Sequence, residues 1–418
     1  MRITFCGGAG EEGRNCTLLE APDGAAIMVD CGVKREFTPG EPGRYPLLPE
    51  HLPISFPLLL THAHEDHVAA IPWLIARGFR PDIHSTPCTS SLGADYCRTW
   101  LKAVDKAIKA SGGTRPYDEK HILAMRWHAL HSGGDTIGPW IVKHGLAAHM
   151  PGSCWFLIAH RDFPEDTVCV SGDWTARSLI YPHPVFPSCR LFITDSSGKD
   201  GDGEGLDRLA ELVMLSLEKP VLLPLPRLGR CQEMLSLMAS MPELTQRTGA
   251  VAMEAALVDA LDVWLDDEAV TGSPREQLEL AKALFANGRW IRFRKPEEIP
   301  DGPRIIGAMD AMLSAGISGE LSQRVLAQDG VVLFSGHAAL GTPGRTLLDS
   351  GDERVMRLPW KIHPEAADVA NVLDAMKPER ALLVHTPQER ARKIAESLRA
   401  QCGIEVLAPT TGNVLDMA

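Results

Sequence analysis

The stretch Thr61-His62-Ala63-His64-Glu65-Asp66-His67 follows directly on the apolar run Pro57-Leu58-Leu59-Leu60. A run of that kind reads as a short buried strand, so the imidazoles and the carboxylate sit together on the loop that ends it. Alternation points His62 and His64 at one cation position, while Asp66 and His67 turn toward a second. Surface histidines on an ordinary polar loop would not be packed this densely. The segment therefore reads as a metal site, and it sets the frame for the rest of the chain.

Other short apolar strands also end on polar residues. Ala25 to Val29 leads to Asp30, Thr167 to Val170 leads to Asp173, Arg190 to Thr194 leads to Asp195, and Arg380 to Val384 leads to His385. Layered α/β proteins place their chemistry at strand ends. Thr89 to Ala110 and Asp118 to Leu130 have helical periodicity and read as a helical excursion. From Gly198 the composition becomes that of a linker, after which helices such as Leu206 to Glu218 alternate with strands such as Pro220 to Leu225. The expected domains are residues 1–197, an insertion over 198–350, and a return over 351–418 carrying His363, a helix from Pro364 to Met376 and another from Gln388 to about Ala400.

His149, beside the turn Met150-Pro151-Gly152, and Asp173, after Ser171-Gly172, are weak signals alone. They gain weight from the first loop. Two metals held close together need a bridging carboxylate, and Asp173 is the obvious one. His62, His64 and His149 would hold one ion, and Asp66, His67 and His385 the other. A donor set of imidazole and carboxylate without thiolate suits two zinc ions, with manganese second. Asp30 braces the loop without touching metal.

Taken together, His62-x-His64-x-Asp66-His67, His149 and Asp173 resemble the metallo-β-lactamase superfamily, and the rest of the chain is similar to its β-CASP branch of nucleic-acid-processing nucleases. Asp195 matches that branch's acidic strand-end motif, His363 its second motif and His385 its third. Arg230-Cys231-Gln232-Glu233 resembles its Arg-x-Gln-Glu helix start, while Ala308 to Ser318 and Phe334-Ser335-Gly336-His337 resemble its Gly-rich loops. The fold this implies is α/β, a metallo-β-lactamase αββα sandwich with an inserted α/β β-CASP domain. The activity implied is hydrolysis of RNA phosphodiester bonds in a cleft between the domains, with a bridging hydroxide as nucleophile. Asp66, Asp195 and His363 would be catalytic, with the last two protonating the leaving oxygen, and Arg230 would contact substrate phosphate. Three departures mark a divergent branch: Trp360-Lys361-Ile362 precedes His363, Thr386-Pro387 follows His385, and Ser196-Ser197 follows Asp195.

Composition bounds these expectations. The chain has 418 residues, 44% of them hydrophobic, and a net charge of −12. That acidity argues against coating nucleic acid through bulk positive field, though not against a metal cleft that holds phosphates. Ten cysteines with no CxxC pair read as reduced core thiols. No signal peptide or membrane span is evident, so a cytoplasmic location is expected. RNA is the expected partner, with no membrane and with a homodimer left open. A DNA nuclease of the same fold, a non-catalytic RNA-processing subunit and a small-molecule thioester or lactone hydrolase are the competing classes. A histidine at the third motif favours RNA over DNA in the resemblance, and the short stretch after His385 favours endonucleolytic over exonucleolytic cutting.

Overall fold

The computed structural model describes residues 1–34, 43–199, 209–302, 304–336, 338 and 340–417. His337 and much of the Gly-rich linker after Gly198 lie outside them. The chain folds as two compact units. The first comprises Met1–Ala176, Pro184–Gly198 and His363–Ala418, and the second Arg177–His183 and Lys199–Ile362.

The first unit contains two sheets. One is built from β1 (Arg2–Gly7), β2 (Cys16–Glu20), β3 (Ala26–Val29), β4 (Pro57–Leu59), β5 (Asp82–Ser85) and β6 (Arg126–Ala129). The other uses β7 (Asp135–Ile137), β8 (Trp140–Leu146), β9 (Cys154–His160), β10 (Phe163–Val170) and β11 (Leu191–Asp195). The second unit supplies β12 (Val221–Pro224), β13 (Val251–Glu254), β14 (Ile291–Phe293), β15 (Ile305–Ala308), β16 (Val331–Phe334) and β17 (Val355–Arg357). β18 (Arg380–Val384) and β19 (Glu405–Leu407) then return to the second sheet, and β20 (Val414–Asp416) to the first. The strand orders are β20-β1-β2-β3-β4-β5-β6 and β19-β18-β11-β10-β9-β8-β7.

Successive side chains on a strand point to opposite faces, and here both faces are buried. Leu19, Ile27, Val29 and Leu59 enter a core shared with Phe156, Ile158, Val170 and Ile193 of the opposing sheet. Their neighbours Leu18, Met28 and Leu58 pack outward on Val68, Ile71, Leu74 and Trp100 of the helices Glu65–Val68, Ile71–Ala76 and Pro87–Ser111. On the other outer face, Cys169, Phe192 and Leu383 pack on Val369, Leu373, Ala395 and Leu398 of the helices Ala366–Met376 and Gln388–Cys402. The layering is αββα.

The periodicity of residues 118–130 misleads in its second half. A helix covers only Glu119–Leu123, and Arg126–Ala129 is an edge strand parallel to β5. With partners on one side only, and three of its four residues exposed, β6 carries no alternating apolar signal.

The second unit is a parallel sheet of order β14-β13-β15-β12-β16-β17. The expected return at 351 is displaced: β17 pairs with β16, so the chain leaves this unit only after Ile362. Glu233, buried on the helix Arg230–Ala239, explains the cohesion of the crossing segments within this unit. Its Oε1 accepts from Ser178 Oγ at 2.5 Å and from the Leu179 amide at 3.2 Å, while its Oε2 accepts from Trp360 Nε1 at 2.6 Å.

Candidate metal centre

The site residues of the first unit stand where strands end. The loop after β4 opens on Thr61, whose amide and hydroxyl both donate to Asp30 at the end of β3. Asp30 also lies 2.8 Å from His67 Nδ1, so it fixes the ring with Nδ1–H toward the carboxylate and Nε2 toward the site. The helix Glu65–Val68 packs so closely that a Cβ at Gly32 would lie 1.7 Å from the Asp66 carbonyl oxygen. Only glycine fits there. Asp30, Ala148 and His385 all take left-handed backbone conformations with φ of 60°, turning the chain sharply as it leaves three strands.

Three groups of ligand-type side chains result, each with donor atoms within 4.8 Å of one another. The first is His62, His64, His149 and Asp173; the second is Asp66, His67, Asp173 and His385; the third is Asp173, Asp195, His363 and His385. Asp173 belongs to all three. Its Oδ2 lies 3.7 Å from His62 Nε2, 3.8 Å from His149 Nε2 and 3.9 Å from His363 Nδ1. Its Oδ1 lies 3.3 Å from His67 Nε2 and 3.7 Å from His385 Nδ1. His385 Nε2 meets Asp66 Oδ2 at 2.9 Å, and His363 Nδ1 meets Asp195 Oδ2 at 2.8 Å.

Electrostatics divide these imidazoles. Burial holds His62 well below the ordinary imidazole range, and it brings His64 down to about 4 despite the pull of Asp66 and Asp173. Both are thus neutral lone-pair donors at physiological pH, the form a cation requires. Burial also opposes charge on His67, His363 and His385, but the carboxylates around them prevail and raise all three. Asp195, which burial alone would push up, is drawn down to about 2 chiefly by the charge of His363. An all-imidazole and carboxylate donor set gathered around one shared aspartate fits divalent metal.

All the residues expected to bind metal or assist chemistry in this unit are therefore brought together: His62, His64, Asp66, His67, His149, Asp173, Asp195, His363 and His385, with Asp30 behind them. Arg230 is not among them. It belongs to the second unit, where its Nη1 donates to the Ser335 carbonyl at 2.6 Å, over a Gly336 that has no room for a Cβ. Sequence reasoning missed Asn15 and Ser197. Ser197 Oγ lies 3.2 Å from His385 Nδ1. Asn15, buried, follows the Gly-rich turn after β1, a composition that marks close backbone approach and could have singled it out. A further cluster, Asp23, His160 and Asp162, lies apart from these groups. There His160 Nδ1 accepts from the Asp162 amide at 3.3 Å, and Nε2 lies 3.3 Å from Asp23 Oδ2.

Residues 9–173 match the family described as Metallo-beta-lactamase superfamily. The chain carries a metallo-beta-lactamase domain. The chain is 25% identical over 440 residues to the endoribonuclease YSH1 of Mycosarcoma maydis, covering 96% of this chain and 49% of that protein. It is 22% identical to the RNase aCSPSF2 of Saccharolobus solfataricus, covering 99% and 85%. The chain thus spans about half the length of the first relative. A protein of unknown function from Enterococcus faecalis V583 shares the fold, with a TM-score of 0.61 at 14% identity over 99% of each chain. These relatives are consistent with the β-CASP nuclease branch of the superfamily.

Proposed function

We propose that this metallo-beta-lactamase chain is a metal-dependent ribonuclease that hydrolyses RNA phosphodiester bonds, cutting internally. The observation that carries the reading is the placement of the hydrogen-bonded Asp195 and His363 pair against Asp173, the residue common to all three ligand groups. His62, His64, His149 and Asp173 would hold one ion, and Asp66, His67, Asp173 and His385 a second, zinc or manganese by donor type. When bound, such ions supply Lewis-acid activation of water and neutralise charge on a phosphate.

The chain's own groups account for the other half of the reaction. An alkoxide is a poor leaving group unless it is protonated as it departs. His363 gives its Nδ1–H to Asp195, so its Nε2 is the nitrogen left to present a proton to the departing oxygen. Asp195 and Asp173 keep that proton in place by raising the imidazole pKa against the effect of burial. Asp30, through Thr61 and His67, fixes the loop that carries four of the proposed ligands. The names of the relatives, an endoribonuclease and an RNase, support RNA as substrate.

The test compares labelled RNA and DNA of one sequence with protein supplied with zinc or manganese. RNA should be cut internally, with activity lost on chelation and restored by cation. Preference for DNA would move the assignment to a DNA nuclease, and cleavage of neither by metal-loaded protein would make the chain a non-catalytic member of the fold.

A further inference from the structure

The end of the sandwich remote from the candidate centre carries ligand-type groups of its own. β3 and β10 start there and run toward Asp30 and Asp173, and the eight residues of β10, at about 3.3 Å each, put roughly 25 Å between the two ends. His160 closes β9 at this remote end. It is fully buried, with its ring 5.2 Å from that of Trp140 and 5.3 Å from that of Phe163. Among the described residues its Nε2 makes no hydrogen bond, although the atom is shielded from water. Folded chains seldom leave a buried polar nitrogen in that condition.

What Nε2 faces is Asp23, whose Oδ2 lies 3.3 Å away but too poorly aligned for a hydrogen bond. Asp23 belongs to the turn between β2 and β3 on the opposing sheet. Its Oδ1 accepts from the Ala25 amide at 2.9 Å, which fixes the carboxylate and leaves Oδ2 to the ring. Asp162, in the turn between β9 and β10, completes a group whose donor atoms all lie within 4.8 Å of one another. Both aspartates are exposed, so any coordination position beyond these three faces water.

We propose that Asp23, His160 and Asp162 form a further divalent-cation site, which joins a turn of one sheet to a hairpin of the other. One imidazole with two carboxylates suits zinc or manganese, whereas calcium and magnesium prefer oxygen ligands alone. Two contacts set its strength. The Asp162 amide donates to His160 Nδ1 at 3.3 Å, and Arg161 Nε lies 3.5 Å from Asp162 Oδ1. A cation on Nε2 needs the ring proton on Nδ1, so the amide contact is given up on binding, while the exposed ion pair competes only feebly. The site therefore binds more weakly than a wholly buried donor set of the same kind. It does not depend on the nuclease reading.

The test is a zinc titration of metal-stripped protein, followed by calorimetry and by melting temperature. His160→Ala would leave a cavity between Trp140 and Phe163, so the exposed aspartates are the variants to use. Wild-type protein should show a weak step that Asp23→Asn and Asp162→Asn each weaken at least about tenfold, the least that loss of a supporting residue costs a metal site. Zinc sufficient to fill that step should raise the melting temperature of wild type more than that of either variant, because the ion ties the two sheets together. Tighter steps and RNA cleavage should match wild type in both variants. If both variants keep the weak step at wild-type strength, or if calcium fills it as well as zinc does, His160 is not a ligand and the proposal is overturned. Wild-type protein that cuts no RNA but shows the weak step and its loss in both variants would refute the nuclease reading and still support this site.

Discussion

At the scale of single residues, the pair formed by Asp195 and His363 makes the sharpest claims. If His363 delivers the proton to the leaving oxygen, His363→Ala should keep its metal and fold yet cleave RNA about two to four orders of magnitude more slowly. A nitrophenyl phosphodiester, whose leaving group needs no proton, should be affected far less; equal losses on both substrates would assign His363 to the metal site instead. The same pair fixes a pH dependence. His363 is raised above the ordinary imidazole value, so its protonated form persists to higher pH than that of a free imidazole, and activity should fall as pH rises through that raised value. Asp195→Asn removes the charge that sustains the shift. Burial then dominates, and the alkaline limb of the pH–rate profile should move to lower pH; an unmoved limb would mean that another group titrates. Asp195 stood out in the sequence because it closes a buried strand, whereas His363, in the loop before the helix Ala366–Met376, stood out only through the motif resemblance. Asn15 and Ser197 did not. Both owe their position to loops whose paths are decided by contacts distant in sequence, Asn15 with Asp66 and Ser197 with His385.

Strand ends and helix starts make claims of their own. Ala148 turns the chain between β8 and His149 with a φ of 60° that a Cβ disfavours. Relieving that strain with Ala148→Gly should raise stability by up to about 1 kcal/mol, after the extra flexibility of glycine is offset. Thermal melting of the metal-stripped protein would show it, and a lower melting point would mean that the methyl group packs usefully. On the helix Arg230–Ala239, Glu233→Ala would leave the Ser178 hydroxyl, the Leu179 amide and the Trp360 indole N–H without their acceptor. The expected cost is about 3 kcal/mol in denaturant unfolding, with metal content unchanged. That helix start was visible in the sequence as Arg-x-Gln-Glu, but its purpose was not. Within the second unit the Arg230 guanidinium donates to the Ser335 carbonyl, and the neighbouring Gln232 bridges the Arg227 and Leu257 carbonyls. Periodicity found the long helices and the doubly buried strands. It failed at Arg126–Ala129, where an edge strand lacks the pattern that burial imposes.

For the whole molecule, cation binding should be a major term in stability. Any ion that binds only the folded chain adds about 2.7 kcal/mol at a hundredfold excess over its dissociation constant. Chelation should therefore lower the melting temperature by several degrees, and readdition of zinc should restore it; an unchanged melt would show that the ligand groups fold equally well without metal. The two-unit plan was legible from the change of composition at Gly198, but the exit point was not, because strand pairing by β17 rather than composition decides it. The order of the pieces along the chain also has a consequence for biosynthesis. His62, His64, His149 and Asp173 all precede the second unit, but His363 and His385 follow it, and β20 closes the first sheet by pairing with β1. A ribosome adding about 5–20 residues per second needs roughly 10–40 s to travel from Asp173 to His385. During that interval the growing polypeptide has the first ligand group complete but lacks His385 of the second and His363 of the third. If the chain cuts RNA as proposed, its site is therefore complete only once the last segment has been made.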